Sequence, residues 1–390
     1  MLIGQRVLVA GGGVAGYAVA RALALRGASV ELAEAGAADA AAAAGGGLQI
    51  TPNGMRVLDA LGLGEAARDQ GLASQAVVLR DGLLGGVITR LDLGPHRAEG
   101  LEYRLFHRAD LVALLAEGAR EAGVKIRTGA PVEVLSDGAE ARARVAGDEV
   151  STPLLLCADG FHSSGRPVLN GPADPFFTGQ VAWRAVIPAD RAVPSEVQAY
   201  LGPGQHLITY PLRGGDLRNI VAVEDRRNWA AEGWNHVDAP QNLRDAFSGF
   251  CPEVRALLEQ VESPRLWGLF RHEIAARWHG QGLALLGDAA HPTLPFMAQG
   301  ANMALEDAWV LADCLDAMPQ PEALAAYQAL RLPRVRRAIA AANANARNYH
   351  LRGFARYGAH KVLKIGGWLA PGAALKRFDW LYRHDVTKAQ

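Results

Sequence analysis

Gly287-Asp288-Ala289-Ala290-His291-Pro292, continuing to Gln299-Gly300-Ala301-Asn302-Met303-Ala304-Leu305-Glu306-Asp307, is the stretch on which the reading of this 390-residue chain turns. A carboxylate stands at a strand end, and a turn then feeds the N-terminus of a helix. The carboxylate suits a sugar hydroxyl, and the free N–H groups of a helix start suit a diphosphate. A ligand with both groups is a nucleotide, provided that its other half finds a site elsewhere in the sequence.

That site reads at the N-terminus. An apolar strand, Val7-Leu8-Val9-Ala10, runs into Gly11-Gly12-Gly13-Val14-Ala15-Gly16 and an alanine-rich helix to about Arg26. Gly11 permits the tight turn, Gly13 lets the backbone approach a pyrophosphate, Val14 and Ala15 open the helix, and Gly16 lets helix and strand pack closely. A second strand, Ser29 to Ala33, ends at Glu34, whose carboxylate stands where a ribose diol is gripped. In a chain with 44 glycines a lone Gly-x-Gly-x-x-Gly arises easily, so it is the order strand, glycines, helix, strand, acid that carries the reading. Joined to the Gly287-Asp288 segment, the fingerprint reads as a site for FAD.

Composition fits a globular enzyme. At 50% hydrophobic and 21% charged, the chain can bury a large core, and its length predicts two interlocked domains. Lys+Arg and Asp+Glu are 40 each, so no bulk charge draws it to nucleic acid or to an anionic membrane. Cys157, Cys251 and Cys314 are widely spaced and form no Cys-x-x-Cys pair, which predicts reduced thiols in a cytoplasmic protein and no metal site. The apolar N-terminus holds five glycines in its first 16 residues, and reads as strand and helix, not as a signal peptide or membrane span.

Ala35 to Gly47 is nearly all Ala and Gly and reads as a mobile excursion. Leu48 to Asn53 and a helix through Leu61 follow. His107-Arg108-Ala109-Asp110 opens a further helix, and short β-type runs come at Lys125 to Thr128, Pro131 to Leu135, Ala141 to Val145 and Leu154 to Cys157. From about Asn170 to Arg277 longer strands appear: Gln180 to Val186, Glu196 to Leu201, Gln205 to Pro211, Asn219 to Val223 and Leu266 to Phe270, with helical stretches from Ala239 and Pro252. The chain returns to the first domain at Leu283-Ala284-Leu285-Leu286, and helices dominate from Gly300.

Three elements in this order resemble the class A flavoprotein aromatic hydroxylases, most closely the salicylate hydroxylase and 3-hydroxybenzoate 6-hydroxylase branch: Gly11 to Gly16 with Glu34, then Ala158-Asp159-Gly160-Phe161-His162-Ser163-Ser164-Gly165-Arg166, then the Gly287-Asp288 segment with Leu294-Pro295-Phe296-Met297-Ala298-Gln299-Gly300. His107 to Leu111 and Val181-Ala182-Trp183-Arg184 extend the likeness. The fold implied is α/β: a Rossmann-type, glutathione-reductase-like FAD-binding domain over 1–169 and 278–345, an inserted mixed β-sheet substrate domain over 170–277, and a helical tail over 346–390. That tail, with Trp368, Phe378, Trp380 and Tyr382, packs on the core or forms a homodimer contact.

The resemblance implies non-covalent FAD, with NADH or NADPH as a transient co-substrate. It makes Asp288 the partner of ribityl or ribose hydroxyls, and sets the N–H groups of Gly300, Ala301 and Asn302 toward the isoalloxazine or diphosphate, beside a loop that begins at Pro295. It makes Arg108 and Gln49 flavin contacts, and links Asp159 to both FAD and the pyridine nucleotide. The plainer alternatives are a capping role for Asp288, backbone-satisfied loop histidines at His162 and His291, and an acid partner for Arg166. The sequence departs from the pattern in one place: Ala35 follows Glu34 where a basic residue is usual, which loosens the expected hold on adenosine.

The activity implied is hydroxylation of a small aromatic, phenolic or N-heteroaromatic, with O2 through a C4a-hydroperoxyflavin. A phenol reacts far better as phenolate, so a base is expected in the inserted sheet. Gln205-His206-Leu207-Ile208-Thr209-Tyr210-Pro211 supplies one: at even spacing in a strand, His206 and Tyr210 share a face, their Cα atoms roughly 13 Å apart, and bracket a ring above Ile208. Histidine suits a general base and the tyrosine hydroxyl a hydrogen bond to the substrate oxygen. Gln299 joins Ile208 as a pocket residue. The competing reading of His206 is a core histidine bonded to backbone. Trp183-Arg184-Ala185-Val186-Ile187-Pro188 lacks the second tryptophan of flavin-dependent halogenases, so halogenation is disfavoured. Two further readings stay open: hydroxylation or epoxidation of a larger secondary metabolite, and an uncoupled flavin NAD(P)H oxidase or reductase.

Overall fold

Continuous apolar runs with no alternation need cover on both faces, and the chain meets that need with a parallel sheet. The structure, a computed structural model, describes residues 2–37, 45–189, 193–226, 236–369 and 372–388. Five parallel strands lie in the order Leu283–Leu285, Leu154–Cys157, Arg6–Ala10, Ser29–Glu34, Lys125–Thr128. Ala10 stands level with Cys157 on one side and Ala33 on the other. Parallel register therefore brings Gly11, Glu34, Ala158-Asp159 and Gly287-Asp288 to one carboxyl edge, although they are spread over the sequence. Gly16 permits the closeness of the first turn: a Cβ there would stand 1.9 Å from the Gly11 carbonyl oxygen.

The second sheet has eight strands, in the order His236–Val237, Arg265–Arg271, Phe176–Pro188, Leu217–Asp225, Gln205–Leu212, Glu196–Gly202, Ala76–Asp81, Val87–Asp92. Its two faces follow the period of two. Trp183, Leu207 and Ala222 pack with Phe247 under the helices Pro240–Ala246 and Pro252–Glu259. Ala182, Val221, Val223 and Trp267 face the other way, toward Leu294 and Phe296. The sheet is wider than 170–277, because Ala76–Asp81 pairs in parallel with Glu196–Gly202 and brings its hairpin partner with it. That pairing joins segments more than a hundred residues apart, and no local pattern announces it.

The Ala- and Gly-rich excursion is described only at its ends; residues 38–44 lie outside the described residues. The tail divides. Leu381 and Tyr382 enter the main core and Trp380 lies under Arg337 at 4.0 Å, whereas Trp368 on the helix Gly353–Leu369 is 80% exposed. Among the described residues no helix is long and apolar enough to cross a membrane.

A buried charge cluster ties two long helices to the Asp288 turn. Glu306 and Asp307, on the helix Gly300–Ala317, are fully buried, as is Arg331 on the helix Gln320–Tyr349. Arg331 donates to Glu306 Oε2 at 2.5 Å and to Asp307 Oδ1 at 2.7 Å, and Arg334 takes both Glu306 oxygens at 2.7 Å. Asp307 Oδ2 in turn meets His291 Nε2 at 2.5 Å and accepts from the Gly287 N–H at 3.0 Å. Burial alone would raise the Asp307 pKa, but His291 and Arg331 overcome it and hold the carboxyl at about 2. Because this pKa is depressed, its stabilisation is complete above the unfolded value near 3.8 and is lost as pH falls toward 2. Removing the cation leaves charge buried without compensation, so Arg331→Met should destabilise the protein by about 3–5 kcal/mol in urea unfolding. A loss under about 1 kcal/mol would show that the cluster holds nothing in place.

Candidate active site

The nucleotide side forms along the carboxyl edge of the parallel sheet. Glu34 accepts from the Gly12 N–H at 2.5 Å and from the Gly36 N–H at 2.7 Å, which fixes its carboxylate at the end of the glycine turn. A Cβ on Gly13 would meet nothing within 4 Å, so the backbone there faces open space, as a close-lying phosphate requires. Asp159 spends one oxygen on the Ser164 N–H at 2.8 Å, while Oδ1 is buried with no hydrogen-bond partner among the described residues, and burial raises the pKa. The Asp288 carboxylate projects into the cavity, where water reaches it although protein surrounds it. It makes no protein hydrogen bond among the described residues, and desolvation raises its pKa against the opposing pull of His291 and Arg108.

The remaining nucleotide residues lie nearby. Arg108 lines the same cavity, with no ion pair among the described residues. Gly300, Ala301 and Asn302 open an 18-residue helix that has no side-chain cap, and Met303 is the first to return its N–H, to Gln299 at 2.8 Å. Pro295 and Gly300 border the cavity. An unpartnered carboxylate oxygen, a free carboxylate, a free guanidinium and an uncapped helix start together fit a dinucleotide with ribityl and ribose hydroxyls.

The side chain of Asn302 serves a different purpose. Its amide donates to the Gln49 and Ala298 carbonyls at 3.0 and 2.6 Å and accepts from the Thr51 N–H at 3.0 Å, stapling the strand Gly47–Ile50 to the helix start. His291 is bonded to a carboxylate rather than to backbone, as described above. Arg166 finds carbonyls, not an acid: those of Ala289 and Ala290 at 3.3 Å and that of Glu273, so it braces the Asp288 turn from behind. His162 is exposed.

The substrate side is the open face of the eight-stranded sheet. His206, Ile208 and Tyr210 all line one cavity of ≈ 290 Å³, together with Arg184, Val221 and Trp267 and with the nucleotide residues Gly13 to Ala15, Gln49, Arg108 and Asp288. Arg184, Val221 and Ile208 are register partners in successive strands, so they form a row across the sheet floor. Trp183 points to the opposite face, donating to Asp238 Oδ2 at 2.7 Å, and shields nothing in the cavity. Gly47 is required by its neighbour: a Cβ there would stand 2.5 Å from the Tyr210 ring.

Tyr210 is buried and its pKa is pushed up to about 12, so at neutral pH it is a hydroxyl donor beside Gln49. Gln49 also accepts from the Tyr103 hydroxyl at 2.5 Å. His206 is 1% exposed, and it is bonded to a side chain rather than to backbone: Nδ1 meets His350 Nε2 at 2.7 Å. Burial, with His350 adding to it, sends its pKa well below the usual value, so the ring is neutral and able to accept a proton. Gln299 borders the cavity, yet its amide turns to Thr51 Oγ1 at 3.1 Å and Asn53 at 3.3 Å.

Arg184 and His350 are the residues that the sequence reading passed over. Arg184 makes no ion pair or hydrogen bond among the described residues; it lies 5.2 Å from the Trp267 ring, and enclosure pulls its pKa down. Its even spacing from Ala182 and Val186 was a readable sign of the cavity face. His350 comes from the far end of the chain, and no spacing links it to His206. The assembled cavity offers a cation for an anionic group, a neutral base and a hydroxyl, next to a nucleotide cradle.

This geometry agrees with the comparisons. A family described as FAD binding domain matches residues 5–342. The chain is 37% identical over 359 residues to a 3-amino-4-hydroxybenzoate 2-monooxygenase of Streptomyces cremeus, covering 89% of this chain and 88% of that protein. It is 33% identical over 407 residues to a 3-hydroxybenzoate 6-hydroxylase of Polaromonas naphthalenivorans, covering 97% and 96%. Among solved structures, Klebsiella pneumoniae HpxO in complex with FAD and uric acid superposes with a TM-score of 0.82 at 24% identity, covering 94% of this chain and 95% of that one, which shows a shared fold. The chain belongs to the FAD binding domain family and, within it, to the FAD-dependent aromatic monooxygenases that these relatives represent.

Proposed function

We propose that the substrate is a phenol carrying an anionic group, of the hydroxybenzoate type, hydroxylated with O2 at the expense of NADH or NADPH. The observation that carries this reading is the unpaired Arg184 guanidinium in the same cavity as His206 and Tyr210. An enclosed cation without a partner is costly, and a ligand carboxylate relieves that cost. Both relatives named above take their names from hydroxybenzoates, which carry a phenol and a carboxylate on one ring.

Bound FAD, once reduced, supplies the activated oxygen; the protein's own residues prepare the ring to receive it. Arg184 holds the carboxylate against the sheet floor, Ile208 and Val221 support the ring, and Tyr210 donates to the phenolic oxygen. His206 accepts the phenolic proton at Nε2, so that the ring reacts as phenolate. Asp288, Arg108, Asp159 and the N–H groups of Gly300 to Asn302 would hold the flavin side of the cofactor, and Glu34 the adenosine ribose.

The same reading takes the protein as a cytoplasmic homodimer with neither nucleic acid nor membrane as partner. Cys157, Cys251 and Cys314 are free and buried, and Phe354, Ile365 and Trp368 leave an apolar exposed face on the helix Gly353–Leu369.

The test is consumption of NADH and NADPH with a panel of hydroxybenzoates, neutral phenols and N-heterocycles, with peroxide measured in parallel. Hydroxybenzoates should give coupled hydroxylation, and Arg184→Gln should raise their KM roughly 10- to 150-fold, the loss of one charged hydrogen bond. Equal turnover of neutral phenols, with KM unmoved in Arg184→Gln, would contradict the anionic-substrate reading. Peroxide as the sole product with every compound would favour an uncoupled oxidase.

Cofactor binding has its own test. Acid precipitation should release the flavin to the supernatant, and Asp288→Ala should weaken FAD binding by about 1.5–3 kcal/mol in a fluorescence titration. Colour retained in the pellet would contradict non-covalent attachment.

A further inference from the structure

His206 does not stand alone behind the cavity. Its Nδ1 lies 2.7 Å from His350 Nε2, and His350 Nδ1 lies 2.5 Å from Asp225 Oδ1. Each contact is too short for two facing lone pairs, so one proton lies in each. Asp225 terminates the strand Leu217–Asp225, and its side chain is 35% exposed while that of His350 is 6% exposed. The three side chains thus run from the enclosed cavity to solvent. His350 follows directly on the helix Gln320–Tyr349, which delivers it to the strand ends at Gly204 and Asp225.

The groups around this line leave it no competitor. Tyr349 packs against the His206 ring with centroids 5.3 Å apart, and burial holds its hydroxyl up to about 12, so it stays neutral. Phe296 covers another side, with centroids 5.4 Å apart. Gln180 donates to Asp225 Oδ1 at 3.2 Å and lies 3.1 Å from His350 Nδ1, and Arg352 donates to Asp225 Oδ2 at 3.1 Å. Burial opposes ionisation of Asp225, but the bonds from His350, Gln180 and Arg352 prevail and hold it at about 2, so it is an anion at any working pH. Arg184 and Arg108 are cations on the cavity side.

We propose that Asp225 and His350 are positioning residues that set the tautomer of His206 and stabilise the proton it takes from the substrate. This rests on the reading of His206 as the base. Ionised Asp225 accepts the Nδ1 proton of His350, which leaves the lone pair of His350 at Nε2. His206 must then donate from Nδ1, and its own lone pair is left on Nε2, the nitrogen with no hydrogen-bond partner among the described residues, for the phenol. When the phenolic O–H breaks and Nε2–H forms, the Nδ1 proton of His206 shifts toward His350 Nε2, and the positive charge gained is shared over the two rings against ionised Asp225, with a proton kept in each short contact. One proton enters at the phenol, and the charge it brings is balanced by Asp225 rather than stranded in the buried ring.

The test uses FAD-loaded enzyme and the hydroxybenzoate that the wild type turns over fastest, with His206→Ala, Asp225→Asn, His350→Gln and Asp225→Glu. In Asp225→Asn, His350→Gln and Asp225→Glu, FAD content and anaerobic reduction by NADH should match the wild type, since neither Asp225 nor His350 lines the cavity that the nucleotide residues share. Removing the Asp225 charge weakens His206 as a base, so the bound phenol ionises less readily. Coupled hydroxylation at neutral pH should fall on the order of tenfold or more in Asp225→Asn and His350→Gln. The rising limb of the kcat–pH profile should move to higher pH and restore much of the rate there, and Asp225→Glu should keep the wild-type profile.

A loss that alkaline pH does not relieve would mark a structural role and overturn the proposal. So would wild-type rates and profiles in both Asp225→Asn and His350→Gln while His206→Ala is inactive. If His206→Ala itself hydroxylates at the wild-type rate, the base assignment fails first. Should Asp225→Asn release FAD, His350→Gln decides the matter by the same readings.

Discussion

Two buried carboxylates side by side on one helix are the constraint on which this architecture depends. Glu306 and Asp307 are unexposed and need cations, and they draw Arg331 and Arg334 from the long helix and His291 from the loop after the last parallel strand. Asn53 joins through Glu306 Oε1 at 2.7 Å, so the helix Pro52–Ala60 is held as well. Buried ion pairs contribute modest net stability, because desolvation offsets most of their attraction, but they tolerate few alternative arrangements. Their effect here is positional. The Gly287 N–H and His291 ring are pinned from one side and the Ala289 and Ala290 carbonyls by Arg166 from the other, so Asp288 is presented at a fixed place beside the start of the helix at Gly300.

The same logic of charge explains the cavity. Arg108, Arg184 and Asp288 all border it without a hydrogen bond or ion pair among the described residues, an arrangement that folding alone would not favour. Each finds its complement in a ligand: diphosphate for Arg108, substrate carboxylate for Arg184, ribityl or ribose hydroxyl for Asp288. The base is the opposite case. His206 and Tyr210 are satisfied by His350 and Gln49, neutral at working pH and held still, so that the only charge created during reaction arises where the cations can stabilise it.

How far this was legible in the sequence depends on how local the signal is. Gly11, Gly13, Gly16 and Glu34 announce the nucleotide turn because its backbone demands are confined to a few successive residues. His206 and Tyr210 could be assigned to one face because a strand alternates strictly, and the structure places them with Ile208 in one cavity. What the sequence concealed is what tertiary contact creates. The strand Ala76–Asp81 belongs to the far sheet by a parallel pairing with no local mark. His291 looked like a loop histidine because its partner Asp307 lies across a helix, and His350 gains meaning only beside His206. Arg184 was within reach, being the charged residue on the cavity face of its strand.

The central claim is that this cavity directs activated oxygen onto a phenolic acid. It is tested most directly by turnover of the best hydroxybenzoate under ¹⁸O2 with mass spectrometry of the product. The account predicts a dihydroxybenzoate-type product carrying one ¹⁸O atom, formed in step with NAD(P)H consumed. A product without ¹⁸O, or NAD(P)H consumption that ends wholly in labelled peroxide, would contradict it.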